Sequence, residues 1–476
     1  MPRIWWTQSF QVNLRSCPKV LRYAVQPALS GGTGPLIFGP QTGEASDRVV
    51  LGRLSEQGPL RQVVMDISAE CVVAVFGKRG SGKSYTLGVL LEALAMRYPD
   101  SGPIGQSSRS RAALLLDTLN VFWSLANPID VVGEESLFPE EVARLSAWTI
   151  KPPELAVEVW IPMGFRKGHT PSQYRDFSIA PSSLTADDIA DLFELDAQSD
   201  LMGQLLVELR EKAIAANPSF TFPEMLEILE ADQELEDYFS TATLRGARQR
   251  LRWAGQLEIF SGASPTQLSD LLQPGGVSVL ELGDVPNSLR TVIASVLLRR
   301  IHALRATASD AEKQLALNTR LSSADRASLE AFVSTALPPT WVLVDEAQNV
   351  LPGGREVKSS DAVVRFVREG RNFGLSFALT TQQPSAVDQR ILAQADTVIC
   401  HRLSVAQDIQ RMRENLKCAE PLEVRVGGVK LDLSAWLRSL EPGCALVTNT
   451  DFDRVFAVEI RPRVTPHGGT GFRVRR

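Results

Sequence analysis

The chain has little cysteine and less histidine, five and four of its 476 residues. Cys17, Cys71, Cys400, Cys418 and Cys444 are scattered, with no CxxC pair and no histidine spaced to complete a zinc site. A disulfide or zinc scaffold is thereby excluded, and buried reduced thiols are expected. No apolar run approaches the roughly 18 to 20 residues that span a bilayer. The opening MPRIWWTQSF also lacks the charged-then-apolar pattern of a secretory leader. A cytoplasmic protein with no membrane contact is expected. An excess of positive charge is missing too: 50 Lys and Arg against 55 Asp and Glu leave a net charge of -5. The molecule as a whole does not attract a polyanion, so any nucleic acid must be met by a local patch. The rest is ordinary globular composition, 44% hydrophobic and 22% charged, over a length that holds several domains at roughly 100 to 200 residues each.

Residues 1–60 are turn-rich, with Gly31, Gly32, Gly34, Pro35, Pro40 and Gly43 breaking short extended pieces, which predicts a small N-terminal β subdomain. From Gln62 the pattern changes. VVMDIS and CVVAVFG are β-branched runs, followed by a glycine-rich turn and the helical stretch YTLGVLLEALAMRY. RAALLLD, residues 111–117, repeats the buried strand and ends it in a carboxylate. This first core segment, residues 61–122, resumes over 271–460 with GVSVLEL, TWVLVDE, GLSFALTT and DTVICHRL. The expected class is therefore α/β with a mostly parallel sheet.

Residues 123–270 read as an inserted helical subdomain. Between 182 and 240 there are fifteen acidic side chains against only Arg210 and Lys212, on helically periodic text. Duplex phosphate would repel such a face, so it should meet solvent or a protein partner. Arg245, Arg248 and Arg252 then share one helical face, either an ordinary basic surface or a phosphate or subunit contact. Residues 306–328 are polar and read as a mobile link. The tail, 461–476, carries five arginines and no acid, suited to touching DNA or bracing a neighbouring subunit.

The chemistry concentrates in three places. Residues 77–84, GKRGSGKS, fit GxxxxGK[ST] between an apolar strand and a helix, the context the motif needs. Gly77, Gly80, Ser81, Gly82, Lys83, Ser84 and Tyr85 form the expected nucleotide-binding set. The glycines let backbone N–H groups wrap a phosphate chain, Lys83 reaches the β and γ oxygens, and Ser84 ligates magnesium. A magnesium-nucleotide site also needs an acid at a neighbouring strand end, and VLVDEAQ, residues 342–348, supplies one. Asp345 would hold the metal shell and Glu346 would act as general base. Asp117 is a further metal candidate that equally suits capping the next helix. Beyond the pair, the strand GLSFALTT ends in Gln382 and Gln383. Gln382 reads as a sensor touching both water and γ-phosphate, with Gln383 competing. Arg371 precedes this strand and can lie at the phosphates, whereas Arg365 and Arg368 suit a solvated surface.

Together GKRGSGKS, LLLDTLN, LVDEAQNVLP, VREGRNFGLSFALTTQQPS and the terminal IRPRVTPHGG resemble the HerA group of the FtsK and HerA superfamily of ring ATPases. The resemblance covers about residues 50–122 and 270–469. Its more specific parts are the REGRNFG to TTQQP run and the RPRxxxHGG terminus. It implies a RecA-like P-loop NTPase core with an inserted helical bundle and an N-terminal β-barrel. It also implies a homo-hexameric ring that threads double-stranded DNA and couples ATP and Mg2+ to translocation or unwinding. Such rings often act alongside a nuclease or, in bacterial antiviral defence, a sirtuin-like or other effector. Carried onto this chain, Lys83 and Ser84 match the P-loop pair, Asp117 the acid after the second strand, and Asp345 and Glu346 the acidic pair. Arg371 matches the arginine before the sensor strand and Gln382 the sensor, while His467, Gly468 and Gly469 match a tail that braces a neighbour. Where many members place an arginine or histidine that acts across the subunit boundary, this chain has Cys71. Arg79, Arg368 and Arg402 are then the candidates for that finger. The N-terminal region is also short for a full barrel. Two alternatives to a motor stand beside it: an ATP-dependent regulatory scaffold that activates a partner effector with little translocation, and a conjugation or secretion ATPase, which the lack of a visible anchor disfavours.

Overall fold

Alternation of side chains decides the two faces of the central sheet. In the strand Val72–Phe76 every residue is buried; Val72, Ala74 and Phe76 enter one core cluster and Val73 and Val75 the other. Apolar side chains on both faces require cover on both faces, the mark of a parallel α/β sheet. The computed structural model describes residues 22–26, 34–39, 47–58, 60–97, 102–130, 138–260, 265–351, 359–421 and 423–469. Cys17, the glycines at 31, 32 and 43, Pro40 and the last three arginines lie outside them.

The strands run β1 (Ala24–Gln26), β2 (Leu36–Phe38), β3 (Arg48–Leu54), β4 (Gln62–Asp66), β5 (Val72–Phe76), β6 (Gly105–Gln106), β7 (Ala112–Asp117), β8 (Val157–Pro162), β9 (Arg175–Phe177), β10 (Val277–Glu281), β11 (Thr340–Val344), β12 (Leu375–Thr381), β13 (Thr397–Cys400), β14 (Glu423–Val426), β15 (Val429–Leu431), β16 (Cys444–Asn449) and β17 (Phe456–Ile460). The large sheet has the order β2-β4-β3-β17-β16-β13-β5-β12-β11-β7-β10-β8-β9, with β6 on β3. From β13 to β9 all neighbours are parallel. On the other side, β16, β17, β3 and β4 continue it antiparallel. The strands expected as a small N-terminal β subdomain therefore extend the core sheet, because β3 supplies the ladder partner that would otherwise leave β17 as an open edge. Likewise β8 and β9, from within the segment read as all helical, complete the parallel side.

The helix α1 (Lys83–Leu94) covers one face, joining Leu87, Val89 and Leu91 to the cluster that holds Val73 and Val75. After α2 (Pro139–Ala147), the helical insert consists of α3 (Ala186–Leu192), α4 (Leu201–Ala216), α5 (Phe222–Ala231), α6 (Gln233–Tyr238) and α7 (Thr241–Gln256), joined to the opposite cluster. Its many acids are partly spent on helix starts. Thr185 with Asp188 and Thr221 with Glu224 form reciprocal capping boxes, and Asp188 is buried with Ser295 and Arg299 as partners. Arg248 and Arg252 of the basic α7 face pair back to Glu236 and Glu230, each at 3.1 Å.

After α8 (Leu268–Leu271), the segment read as a mobile link is helix: α9 runs Asn287–Leu317 and α10 Ser323–Thr335. Alanine-rich text favours helix. Buried Arg305 also ties α9 to the carbonyls of Leu337 and Phe373, at 2.6 and 2.9 Å. Polarity marked solvation there, not mobility. Helix α11 (Ser359–Glu369) leads into β12.

Candidate nucleotide site

After Phe76 the chain turns into α1 through a loop pinned to both neighbouring strand ends. Lys78 N–H donates to the Arg402 carbonyl at 2.8 Å and Gly77 N–H to that of Thr381 at 3.3 Å. Gly82 stands at the N-cap at φ 118 with no side chain capping the helix, so the first-turn N–H groups face outward, as anion binding requires. A Cβ on Gly77 would meet Ser81 Oγ at 2.5 Å and His401 Cβ at 2.7 Å. Ser81 folds its hydroxyl onto the Lys78 carbonyl at 2.7 Å, and Arg79 and Gly80 form the exposed tip.

His401 lies beneath this loop, fully buried. Its Nδ1 is 2.9 Å from the Cys444 carbonyl and its Nε2 is 2.8 Å from Thr86 Oγ1. A carbonyl only accepts, so the ring carries its proton on Nδ1 and accepts from Thr86. Burial, with Lys83 nearby, pushes its pKa down to about 4.

The acidic pair follows β11, next to β12 and across from Lys83. Asp345 is buried; its Oδ1 accepts from Thr380 Oγ1 at 2.5 Å and from Ser84 Oγ at 3.1 Å. Burial lifts its pKa to about 6, opposed by the Thr380 hydrogen bond. Glu346 adopts the left-handed region, φ 50 and ψ 61, which costs a non-glycine residue on the order of 1 kcal/mol or more. That conformation is held by four contacts on its carboxylate: Gln382 Nε2 at 2.5 Å, Gln382 N at 3.3 Å, Gln348 Nε2 at 2.9 Å and Lys83 Nζ at 3.3 Å. The Lys83 and Glu346 side chains are 4% and 3% exposed, so their charges meet out of water.

Ser84 and Asp345 present hard oxygens side by side. That suits Mg2+, which takes one or two protein oxygens and completes its octahedron with phosphates and water. Among the described residues no group of three or more His, Cys, Asp or Glu offers a closed metal cage. Asp117 stands beside Asp345 but ties down its own turn, accepting from Leu119 N at 3.1 Å and Phe122 N at 2.7 Å. Burial, then Asp345, pushes it up to about 7.

Several expected participants lie elsewhere. Tyr85 points to the tail: its hydroxyl accepts from Arg463 N at 2.7 Å and its ring stacks on His467 with centroids 6.2 Å apart. Arg371 pairs with Asp396, whose Oδ2 accepts from Val72 N at 2.8 Å at the start of β5. A five-residue strand separates that end from the loop, about 17 Å at roughly 3.3 Å per residue. Cys71 lies at the same far end, its thiol pushed up to about 12 by burial and by Asp396. Of the finger candidates, Arg368 is exposed and pairs with Glu369, and Arg402 lies behind its own chain's loop. The tail expected to brace a neighbour packs on its own chain. Ser124 Oγ donates to the Pro466 carbonyl at 2.7 Å, and Arg461 and Arg463 are 0% and 2% exposed around Glu92 of α1. Neither of these two arginines is open to DNA.

Thr380, Gln348 and His401 also belong to the site, unmarked by any motif in the sequence. Two adjacent hydroxyls closing a fully buried strand were a signal for Thr380, since buried hydroxyls need partners. Nothing local marks His401.

The parallel sheet with a glycine loop and helix after a central strand defines a RecA-like P-loop NTPase fold. The model of the family described as Helicase HerA, central domain, matches residues 49–301, more than half of the chain, and the chain belongs to that family. It is 27% identical over 142 residues to the DNA double-strand break repair helicase HerA of Pyrococcus furiosus, covering 29% of this chain and 26% of that one. The chain thus spans about a quarter of the length of that relative. Two solved structures share the fold. The bacterial conjugative coupling protein TrwB has a TM-score of 0.51 at 12% identity, over 93% of this chain and 95% of that one. VirB4 of Thermoanaerobacter pseudethanolicus has 0.51 at 13%, over 88% and 97%. No helix among the described residues is long and apolar enough to cross a membrane.

Proposed function

We propose that the protein hydrolyses ATP with Mg2+ and uses the energy to move along double-stranded DNA as a homo-hexameric ring. The supporting observation is the cluster in which Lys83, Glu346 and Gln382 converge behind the glycine loop, with Ser84 and Asp345 alongside. The loop's N–H groups bind the phosphates, and Lys83 exchanges Glu346 for the β and γ oxygens. Glu346, relieved of that ion pair, is left to orient and deprotonate the attacking water. Gln382 bridges Glu346 to the end of β12, so loss of the γ-phosphate is felt by that strand. Bound magnesium, held by Ser84 and Asp345, supplies neutralisation of phosphate charge. The Pyrococcus relative is by name a DNA double-strand break repair helicase, which supports DNA as the track; a nuclease or a sirtuin-like defence effector as companion rests on the sequence resemblance alone.

A second reading, an ATP-driven scaffold for such an effector, is favoured by the acidic helices, where Glu234 is 92% exposed and like charge would repel duplex phosphate. ATPase assays decide. Duplex DNA should stimulate turnover several-fold in the parent, and Lys83→Ala should weaken nucleotide binding by about 10- to 100-fold through lost charge-assisted contacts. Turnover indifferent to DNA but dependent on the companion protein favours the scaffold.

A further inference from the structure

Beyond the acidic pair, at the carboxyl ends of β7, β10 and β8, a cavity of about 390 Å³ opens that shares no residue with the nucleotide set. Its size falls within the range of small-molecule sites. Trp123, Phe165 and Tyr174 contribute three rings to its wall, and Glu281, the last residue of β10, stands among them. The Glu281 carboxylate makes no hydrogen bond or ion pair among the described residues. Its neighbours do: Asp284 pairs with Lys167 at 2.7 Å and accepts from Asn120 Nδ2 at 2.9 Å. Burial, with Asp284 nearby, pushes the Glu281 carboxyl up to about 7, opposed by the charge of Lys167. At the rim, Lys167 and His169 are exposed.

We propose that this cavity binds a nucleotide by its base, stacked among Trp123, Phe165 and Tyr174, with the base's donor edge on Glu281 and its phosphate toward Lys167 and His169. Flat rings give an aromatic base a sequence-tolerant platform, and the carboxylate then selects among bases. Guanine offers two adjacent donors, N1–H and the 2-amino group, which a carboxylate accepts together. Adenine and cytosine offer one amino group each. Uracil and thymine offer one N–H flanked by two carbonyls that the carboxylate repels. Guanine should therefore bind first and uracil last. Asn120 belongs to the same device: at φ 53 it donates to Asp284 and accepts from Gly283 N at 2.7 Å, holding the β7 and β10 loops together as one wall. Glu281 also lies opposite Asp117 in the ladder and its charge reaches that group, so a ligand here is felt one strand from Asp345.

The base can come from a free nucleotide or from a displaced DNA strand, and titrations distinguish them. The full chain and its Lys83→Ala variant are titrated calorimetrically with GMP, UMP, a thymine oligonucleotide and the same oligonucleotide with one central guanine. GMP, or the guanine oligonucleotide over the all-thymine one, should bind both chains alike, with UMP at least about tenfold weaker. Glu281→Gln and Phe165→Ala should each weaken guanine binding about tenfold; Phe165 is only partly buried, so its variant keeps the fold even if the other does not. GMP binding identifies the free nucleotide and oligonucleotide preference without it identifies the strand; either sustains the proposal. Absence of any guanine preference, or binding lost with Lys83→Ala and kept in both cavity variants, overturns it. Because Lys83→Ala disables only the glycine loop, failure here is distinct from failure of the ATPase assignment.

Discussion

Glu346 carries two duties that pull against each other: neutralising Lys83 and, in the proposed reaction, taking a proton from water. Its left-handed backbone and its two glutamine contacts hold the carboxylate between them. Glu346→Gln should lower turnover at least about 100-fold, the usual weight of a general base. Nucleotide affinity should stay equal or rise, since Lys83 no longer has a competing anion; steady-state hydrolysis and a fluorescent-nucleotide titration check both halves. His401 gives a pH signature. Its folded pKa near 4 lies below the ordinary value of about 6.5, so the unfolded chain binds more protons between those values. Its contribution is complete above pH 6.5 and is lost as pH falls toward 4, by up to about 3 kcal/mol. His401→Gln should flatten that part of the urea-unfolding profile between pH 7 and 4.5. At this scale the loop, Lys83, Ser84, Asp345 and Glu346 were legible because each sits in a short contiguous string. Thr380 and His401 were not, because what gives them meaning is a partner tens to hundreds of positions away; Gln348 lies two residues from Glu346 in the same string, but its second bond, from Thr381, comes from another strand.

Among the elements, α1 is held at both flanks. Its amino end makes the phosphate loop, and Glu92 on its far side accepts from Arg461 at 2.8 Å, Arg463 at 3.4 Å and Thr465 Oγ1 at 2.8 Å. Gly88 has no side chain because a Cβ would meet the Arg463 guanidinium at 2.6 Å. Removing the acid strands two buried cations, so Glu92→Ala should cost about 3 to 5 kcal/mol, read as a lowered melting temperature, with Glu92→Gln intermediate. The parallel strands β5, β7, β10, β11, β12 and β13 were legible as buried apolar runs, whereas β8 and β9 were not, because they lie within mostly helical text. The union of β3 with β17 was not, since turn-rich text reads the same whether a distant strand docks on it or not. Helix α9 was missed for another reason: a polar helix and a polar link have similar composition, and only contacts such as Arg305 with Phe373 separate them.

At the scale of the whole molecule, a net charge of -5 leaves the proposed DNA binding to local basic surface and released counterions. Duplex affinity in the presence of nucleotide should fall steeply between about 50 and 200 mM salt, by 10³ or more if six phosphates are contacted, measurable by fluorescence anisotropy. A salt-insensitive interaction would count against a phosphate-tracking motor.

The order of the strands also sets a timetable for the chain's birth. The strand that leads into the phosphate loop ends at Phe76, yet its ladder partners are Leu375–Thr381 and Thr397–Cys400, and the ring beneath the loop is His401. At roughly 5 to 20 residues per second, the ribosome needs on the order of tens of seconds after making the glycine turn before it delivers that support. Through this interval a β-branched edge stands unpaired, so the nascent protein should lean on chaperones until its last quarter has emerged.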